Sequence, residues 1–248
     1  MPHILVLGGT TEASLLAQRL AEARLPATLS YAGRVARLRS QPVPVRVGGF
    51  GGVAGLTDHL RRERVTHLVD ATHPFAATMS GNAIAACAAT GVPLLALTRP
   101  AWQPEQGDDW RHMPDIPAAV AALAGPPRRV MLAIGRMHLD AFAAQPQHSY
   151  LLRLVDPPEV APPLPDCHVI VDRGPFTVAG DTALMRAHGI DLIVSKNAGG
   201  SGAEAKLAAA RALGLPVMMI GRPPLPDRAE VHSVDEVLRW LHGADLGV

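Results

Sequence analysis

Ile4-Leu5-Val6-Leu7-Gly8-Gly9-Thr10-Thr11-Glu12-Ala13 is the stretch on which the fold turns. A short apolar run meets two adjacent glycines, and Ala13, Leu15, Leu16 and Leu20 then recur at helical spacing. The pattern predicts strand, tight turn, helix. That order aims free helix N–H groups at the loop and makes an anion site. Gly8 and Gly9 permit a sharp turn and close approach of backbone to a ligand. Thr10 and Thr11 add hydroxyl groups that also suit a helix cap. The three spaced glycines of the G-x-G-x-x-G fingerprint are absent, so the turn alone is also compatible with an ordinary strand-to-helix connection.

Outward from this turn, the first helix is expected to end before Pro26, and Ala27 to Ser30 to form the second strand. The loop after it, Tyr31 to Arg34, is where a dinucleotide-binding fold meets the adenosine ribose. No acid lies between Thr28 and Ser40, while Ser30, Gly33 and Arg34 are available. A guanidinium suits a 2′-phosphate, which points to NADPH rather than NADH. Val45 to Val47 reads as a strand followed by Gly48-Gly49-Phe50-Gly51-Gly52. So many glycines imply backbone passing close to a ligand, with Gly49, Phe50 and Gly51 as candidates. The strand His67 to Asp70 runs into Ala71-Thr72-His73-Pro74-Phe75. Ligands of open parallel sheets bind beyond the carboxyl ends of the strands, which makes Thr72, His73 and Pro74 site candidates. His73 is also a candidate proton donor, since imidazole titrates near neutrality.

Two prolines and a glycine between Arg99 and Trp110 break the alternation and read as a linker. The second half then starts again. Strands are expected at 129–134, 149–155, 168–171, 191–194 and 217–220, with helices between most of them and a last helix over 234–241. Alternating strand and helix predicts an α/β architecture with parallel sheets. The expected division is an N-terminal Rossmann-like, NADPH-binding domain over 1–98, a linker and helix over 99–127, and a C-terminal Rossmann-like domain over 128–248. Arg136, Arg173 and Lys196 each follow a second-half strand. Ser195-Lys196-Asn197-Ala198-Gly199-Gly200 is again strand, glycine turn, helix. Arg136, Arg173, Ser195, Lys196, Asn197, Gly199 and Gly200 therefore form a candidate site for an anionic substrate, and Lys196 a second candidate proton donor.

Composition bounds the remaining classes. The chain has 248 residues with a formal net charge of +1 and 48% hydrophobic residues, enough for a sizeable core and without the basic block that nucleic-acid binding needs. Two cysteines without metal-ligand spacing fit a reduced, cytoplasmic protein. The eleven histidines show no tight ligand spacing, so no metal is expected. No apolar run is long enough for a bilayer, and neither signal peptide nor membrane partner is expected.

Taken together, Gly8 to Ala13, Ser30 to Arg34, Gly48 to Gly52, Asp70 to Ala76, Arg99 to Trp102, Arg173 to Phe176 and Ser195 to Gly200 resemble the precorrin-6A reductase family of cobalamin biosynthesis, including its cobalt-containing counterpart. Asp70-Ala71-Thr72-His73-Pro74-Phe75-Ala76 and Ser195-Lys196-Asn197-Ala198-Gly199-Gly200 carry the resemblance most specifically. Ser14 and Ala198 depart from it, standing where the family often has Arg and Ser. The resemblance implies two Rossmann-like domains with the active site in the cleft between them. It implies NADPH-dependent reduction of a macrocycle double bond, precorrin-6A to precorrin-6B. It also implies a tetrapyrrole partner and handover to neighbouring corrin-pathway enzymes. Two rivals stand beside it: another NADP-dependent reductase of a smaller anion, and a non-enzymatic NADP-sensing module. The cations after the second-half strands count against the sensor.

Overall fold

The computed structural model describes residues 3–33, 40–172 and 174–245. The chain forms two compact units, residues 1–100 together with 224–248, and residues 101–223.

In chain order the first unit holds β1 (Ile4–Leu7), α1 (Thr11–Glu22), β2 (Ala27–Tyr31), β3 (Val45–Val47), α2 (Gly52–Arg62), β4 (His67–Asp70), α3 (Ala77–Thr90) and β5 (Leu94–Leu97). The second holds β6 (Asp109–Met113), α4 (Ile116–Ala122), β7 (Arg129–Ala133), α5 (Leu139–Phe142), β8 (Ser149–Leu154), β9 (Cys167–Val171), α6 (Val178–Ala187), β10 (Leu192–Lys196), α7 (Ala205–Leu213) and β11 (Pro216–Ile220). The chain then returns to the first unit as β12 (Glu230–Val231) and α8 (Val234–Asp245).

Each unit is built on a six-stranded sheet, β12-β5-β4-β1-β2-β3 in the first and β6-β11-β10-β7-β8-β9 in the second. Every pairing is parallel. The central strands β1 and β4 are buried throughout, as a sheet covered on both faces requires. Helices α1 and α8 cover one face of the first sheet through Leu16, Leu20, Val237 and Leu241, while α2 and α3 cover the other through Leu56, Leu60, Ala83 and Ala86. In the second unit α6 and α7 pack Met185, Leu207 and Ala210 against Met131, Ile193 and Val217 of the sheet. Local chemistry fixes the helix ends. Thr10, Asp115 and Thr177 cap α1, α4 and α6 by accepting from a backbone N–H three residues on. Gly91 and Gly214 close α3 and α7 in the left-handed conformation.

Counted from its own glycine turn, each sheet has the order 3-2-1-4-5-6 of a doubly wound fold. The sixth strands are exchanged. β6 leaves the first unit and completes the second sheet beside β11, and β12 leaves the second unit and completes the first beside β5. This corrects the expected division in two places. Residues 224–248 belong with the first unit, because Val234, Val237 and Leu241 fill its core. Residues 109–113 are a strand and not a linker. Their polar sequence reflects an edge position, where Asp109, Arg111 and His112 face water.

Candidate functional site

In the order of the first sheet, β1 leads to β2 on one side and β4 lies on the other, so the switch point falls between β1 and β4. Two loops flank it. Gly8 begins the first, its N–H donating to the Ser30 carbonyl at 2.8 Å. A Cβ at Gly8 would meet Leu29 Cδ1 at 2.7 Å, so this glycine serves packing. Gly9 has φ +123° and nothing within 4 Å of where a Cβ would stand. Its conformation needs glycine, and the space beside it is open. Thr10 Oγ1 accepts from Ala13 N at 3.1 Å and donates to the Ala71 carbonyl at 2.8 Å. That second bond joins the glycine turn to the loop after β4. Thr11 and Glu12 open α1, and Glu12 Oε1 pairs with Arg99 Nε at 3.3 Å. Among the described residues, Glu12 Oε2 is buried without a hydrogen-bond partner.

The loop after β4 is set by Asp70, a residue the sequence reading left unused. This buried carboxylate accepts from Thr72 N at 3.1 Å and Thr72 Oγ1 at 2.7 Å on one oxygen, and from Ser80 Oγ at 2.6 Å and Arg228 on the other. Next along, His73 Nδ1 accepts from Phe75 N at 3.2 Å. A neutral imidazole accepting there carries its proton on Nε2, which can donate a hydrogen bond. Pro74 is half-buried beside it.

Past β2 and β3, Arg46 organises what the sequence presented as separate candidates. Its guanidinium donates to Ser30 Oγ at 3.3 Å and to the Gly49 carbonyl at 2.7 Å, and lies 3.9 Å over the Phe50 ring. Burial holds its pKa below the usual arginine value, with Arg62 adding to the effect. Gly51 caps α2 at φ +82°, and Gly33, after β2, has φ +77°. Arg34 lies outside the described residues.

In the second unit the switch point falls between β7 and β10. Arg136 follows Gly135 after β7 and is exposed, and Lys196 ends β10 and is half-buried. Burial lowers the Lys196 pKa to about 8, within the range that suits proton transfer near neutral pH. Gly199 and Gly200 turn the loop at φ +69° and +75°. Arg173 lies outside the described residues. Two expected substrate contacts are placed otherwise. Ser195 is fully buried and its hydroxyl donates to the Lys196 carbonyl, because alternation along β10 turns it into the core. Asn197 uses its amide on Trp102, accepting from its N–H at 2.8 Å and donating to its carbonyl at 2.9 Å.

Beneath this loop lies Lys206, 3% exposed, with Nζ bonded to the Ala203 carbonyl and 4.5 Å from the Trp102 ring centroid. Burial, then the charge of Arg153, push its pKa down to about 7, against a smaller upward pull from Asp181 and Glu204. Between about pH 7 and 10.5 the folded chain has released this proton and the unfolded chain still holds it, so stability rises with pH across that window. Lys196 adds the same slope only above about pH 8. Lys206→Met is therefore expected to flatten the pH 7–8 part of the profile, measured by urea titration at closely spaced pH. An unchanged slope there would mean that Lys206 keeps its proton.

Comparison with known proteins follows the same lines. The family model described as "Precorrin-6x reductase CbiJ/CobK" matches residues 3–242. The chain belongs to the precorrin-6x reductase family. Among the relatives in that family, a precorrin-6A reductase of Rhodobacter capsulatus is 59% identical over 246 residues, covering 98% of each chain. One from Mycobacterium tuberculosis is 42% identical over 245 residues, again 98% of each. A cobalt-precorrin-6A reductase of Salmonella typhimurium is 28% identical over 266 residues, 97% of each. A solved structure described as "CobK precorrin-6A reductase" superposes with a TM-score of 0.93 at 59% identity, covering 100% of this chain and 98% of that one. Membership in the precorrin-6x reductase family agrees with the two parallel α/β sheets. Among the described residues there is no group of histidines, cysteines and carboxylates suited to a metal, and no helix long and apolar enough to cross a membrane.

Proposed function

We propose that the chain reduces precorrin-6A to precorrin-6B with NADPH in cobalamin biosynthesis. The observation that carries the reading is the family match along nearly the whole chain, including 59% identity to a precorrin-6A reductase. The residues present fit a dinucleotide. The space beside Gly9, Gly49 and Gly51 is open, the α1 N-terminus points at the turn, and Glu12 Oε2 is a buried acceptor in want of a donor. NADPH, when bound, supplies the hydride. Gly8, Gly9, Thr10 and Thr11 would hold its diphosphate, and Ser30, Gly33 and Arg34 its 2′-phosphate. Gly49, Phe50, Gly51, Thr72, His73 and Pro74 would border it.

Arg136 and Lys196, with Arg173, would meet the carboxylates of the macrocycle, and Gly199 and Gly200 would let it approach the backbone. Reduction adds a hydride to one carbon and a proton to its neighbour. His73 and Lys196 are the candidates for placing that proton. Hydride transfer needs near contact of the reacting carbons, roughly 3–3.5 Å. A cytoplasmic location and handover of product to a neighbouring corrin-pathway enzyme complete the reading.

Lys196→Ala separates the two roles of that residue. If Lys196 binds carboxylate, KM for precorrin-6A rises about tenfold, as for one charge-assisted bond, its salt dependence flattens, and NADPH affinity is unchanged. If Lys196 gives the proton, kcat collapses and the alkaline limb near pH 8 vanishes with KM intact. Wild-type kinetics at every salt and pH would remove Lys196 from the site.

A further inference from the structure

Two segments carry the chain between the units, and each ends by delivering a sixth strand to the sheet it joins. Both are fastened to the same place, the end of the fourth strand of that sheet. Arg228, two residues before β12, pairs with Asp70, the last residue of β4. Trp102, on the way to β6, is held by Asn197, the residue after β10. The ends of β4 and β10 are also the loops of the two switch points. We propose that Arg228 and Trp102 are positioning residues, the first for the Thr72–His73 loop and the second for the Lys196–Gly200 loop. The proposal rests on the functional reading above only for the identity of the ligands.

The chemistry at each fastening is specific. Asp70 and Arg228 side chains are 1% and 9% exposed, so the guanidinium compensates a charge that water does not reach. It occupies one carboxylate oxygen, which leaves the other for Thr72 N and Thr72 Oγ1. Without Arg228, the donors to Asp70 among the described residues are the neutral Thr72 and Ser80 groups, and its buried charge is left uncompensated. At the second loop, Asn197 engages both backbone groups of Trp102, and Trp102 Nε1 donates to the Gly200 carbonyl at 2.9 Å. The bond ties Gly200 of a loop that turns on glycines at φ +69° and +75°, beside the bonds of Arg222 to the Asn197 and Ala198 carbonyls.

The test uses full-length Arg228→Met and Trp102→Phe. Hydrogen exchange read by mass spectrometry is expected to quicken in the peptide over 70–76 for the first and over 196–203 for the second, each leaving the other loop as in wild type. Arg228→Met is expected to weaken NADPH binding about tenfold, the effect of a charge-assisted bond, with KM for precorrin-6A unchanged. Trp102→Phe is expected to raise that KM about fivefold, the effect of a neutral bond, with NADPH affinity unchanged. Arg228→Lys keeps the charge, guards against a chain that fails to fold, and is expected to recover part of the nucleotide affinity. Equal loosening of both loops, unchanged exchange in the loop concerned, or loss of affinity for the wrong ligand would overturn the proposal. Failure of the functional reading would appear separately, as wild-type protein that does not bind NADPH, and the exchange pattern of the variants would still decide the positioning.

Discussion

Gly55→Ala is expected to destabilise the first unit by about 3 kcal/mol or more and to weaken nucleotide binding well beyond tenfold. A Cβ at this position would stand 1.7 Å from the Phe50 carbonyl oxygen. The oxygen belongs to backbone, and the backbone is held. Arg46 lies over the Phe50 ring, and His59 of α2 meets that ring edge-on at 5.0 Å between centroids. Either α2 moves away from the sheet or the Gly48–Gly52 loop is rebuilt, and both outcomes displace residues assigned to the nucleotide. Gly8→Ala meets only the end of the Leu29 side chain, at 2.7 Å, and is expected to be milder because that group can rotate. Gly81→Ala, in the middle of α3 with nothing within 4 Å, is expected to gain up to about 1 kcal/mol from helix propensity. Urea unfolding of the three variants ranks them. A Gly55→Ala protein as stable as wild type would refute the close approach of α2 to this loop.

Asp181→Ala is expected to cost the second unit about 3–5 kcal/mol, the loss on removing one partner of a buried ion pair. Arg153 of β8 and Asp181 of α6 are 8% and 4% exposed, and the guanidinium stacks 3.6 Å from the Phe176 ring centroid. Asp181 also faces Lys206 and raises its pKa against Arg153. Its removal leaves a buried arginine without its carboxylate and a buried lysine pushed further toward the neutral amine. Arg153→Met combined with Asp181→Leu is expected to recover most of the loss, because the buried guanidinium is then no longer left without its carboxylate. Trp102 and Trp110 belong to this unit and Trp240 to the other, so tryptophan emission during denaturation reports the transition. A loss below about 1 kcal/mol in Asp181→Ala would show that the pair is solvated.

What could be read from the chain and what could not divide by distance. The glycine turn after β1 was legible because apolar run, glycines, threonine cap and helical repeat lie within a dozen residues. Thr72–His73 and Lys196–Gly200 were legible as strand ends for the same reason. β6 was not, since Asp109-Trp110-Arg111-His112-Met113 sits at a sheet edge and carries the composition of a loop. β12, two residues long, has too little sequence to show a period. The partners of the site residues were hidden altogether. Arg228 is 158 positions from Asp70, and Trp102 is 95 positions from Asn197. Side-chain chemistry named Asn197 as a polar group at a binding edge, and only the fold shows that both ends of its amide are already engaged. The burial of Ser195 was hidden for a related reason, since the last residues of a buried strand keep alternating between its two faces.

The exchange of sixth strands also sets the order in which the protein can be completed as it is made. Residues 101–223 form a continuous unit, and its sheet has all its strands once β11 at 216–220 has left the ribosome. The first unit, though most of its strands emerge earlier, lacks β12 and α8 until residues 230–245 have been made. Until then the face of α1 bearing Leu16, Ala17 and Leu20 has no Val237 or Leu241 against it, and the edge of β5 has no neighbour. The unit whose strands begin earlier in the chain is therefore the one that closes later. During synthesis its exposed apolar face and open strand edge are where the nascent protein is most prone to stick to other chains.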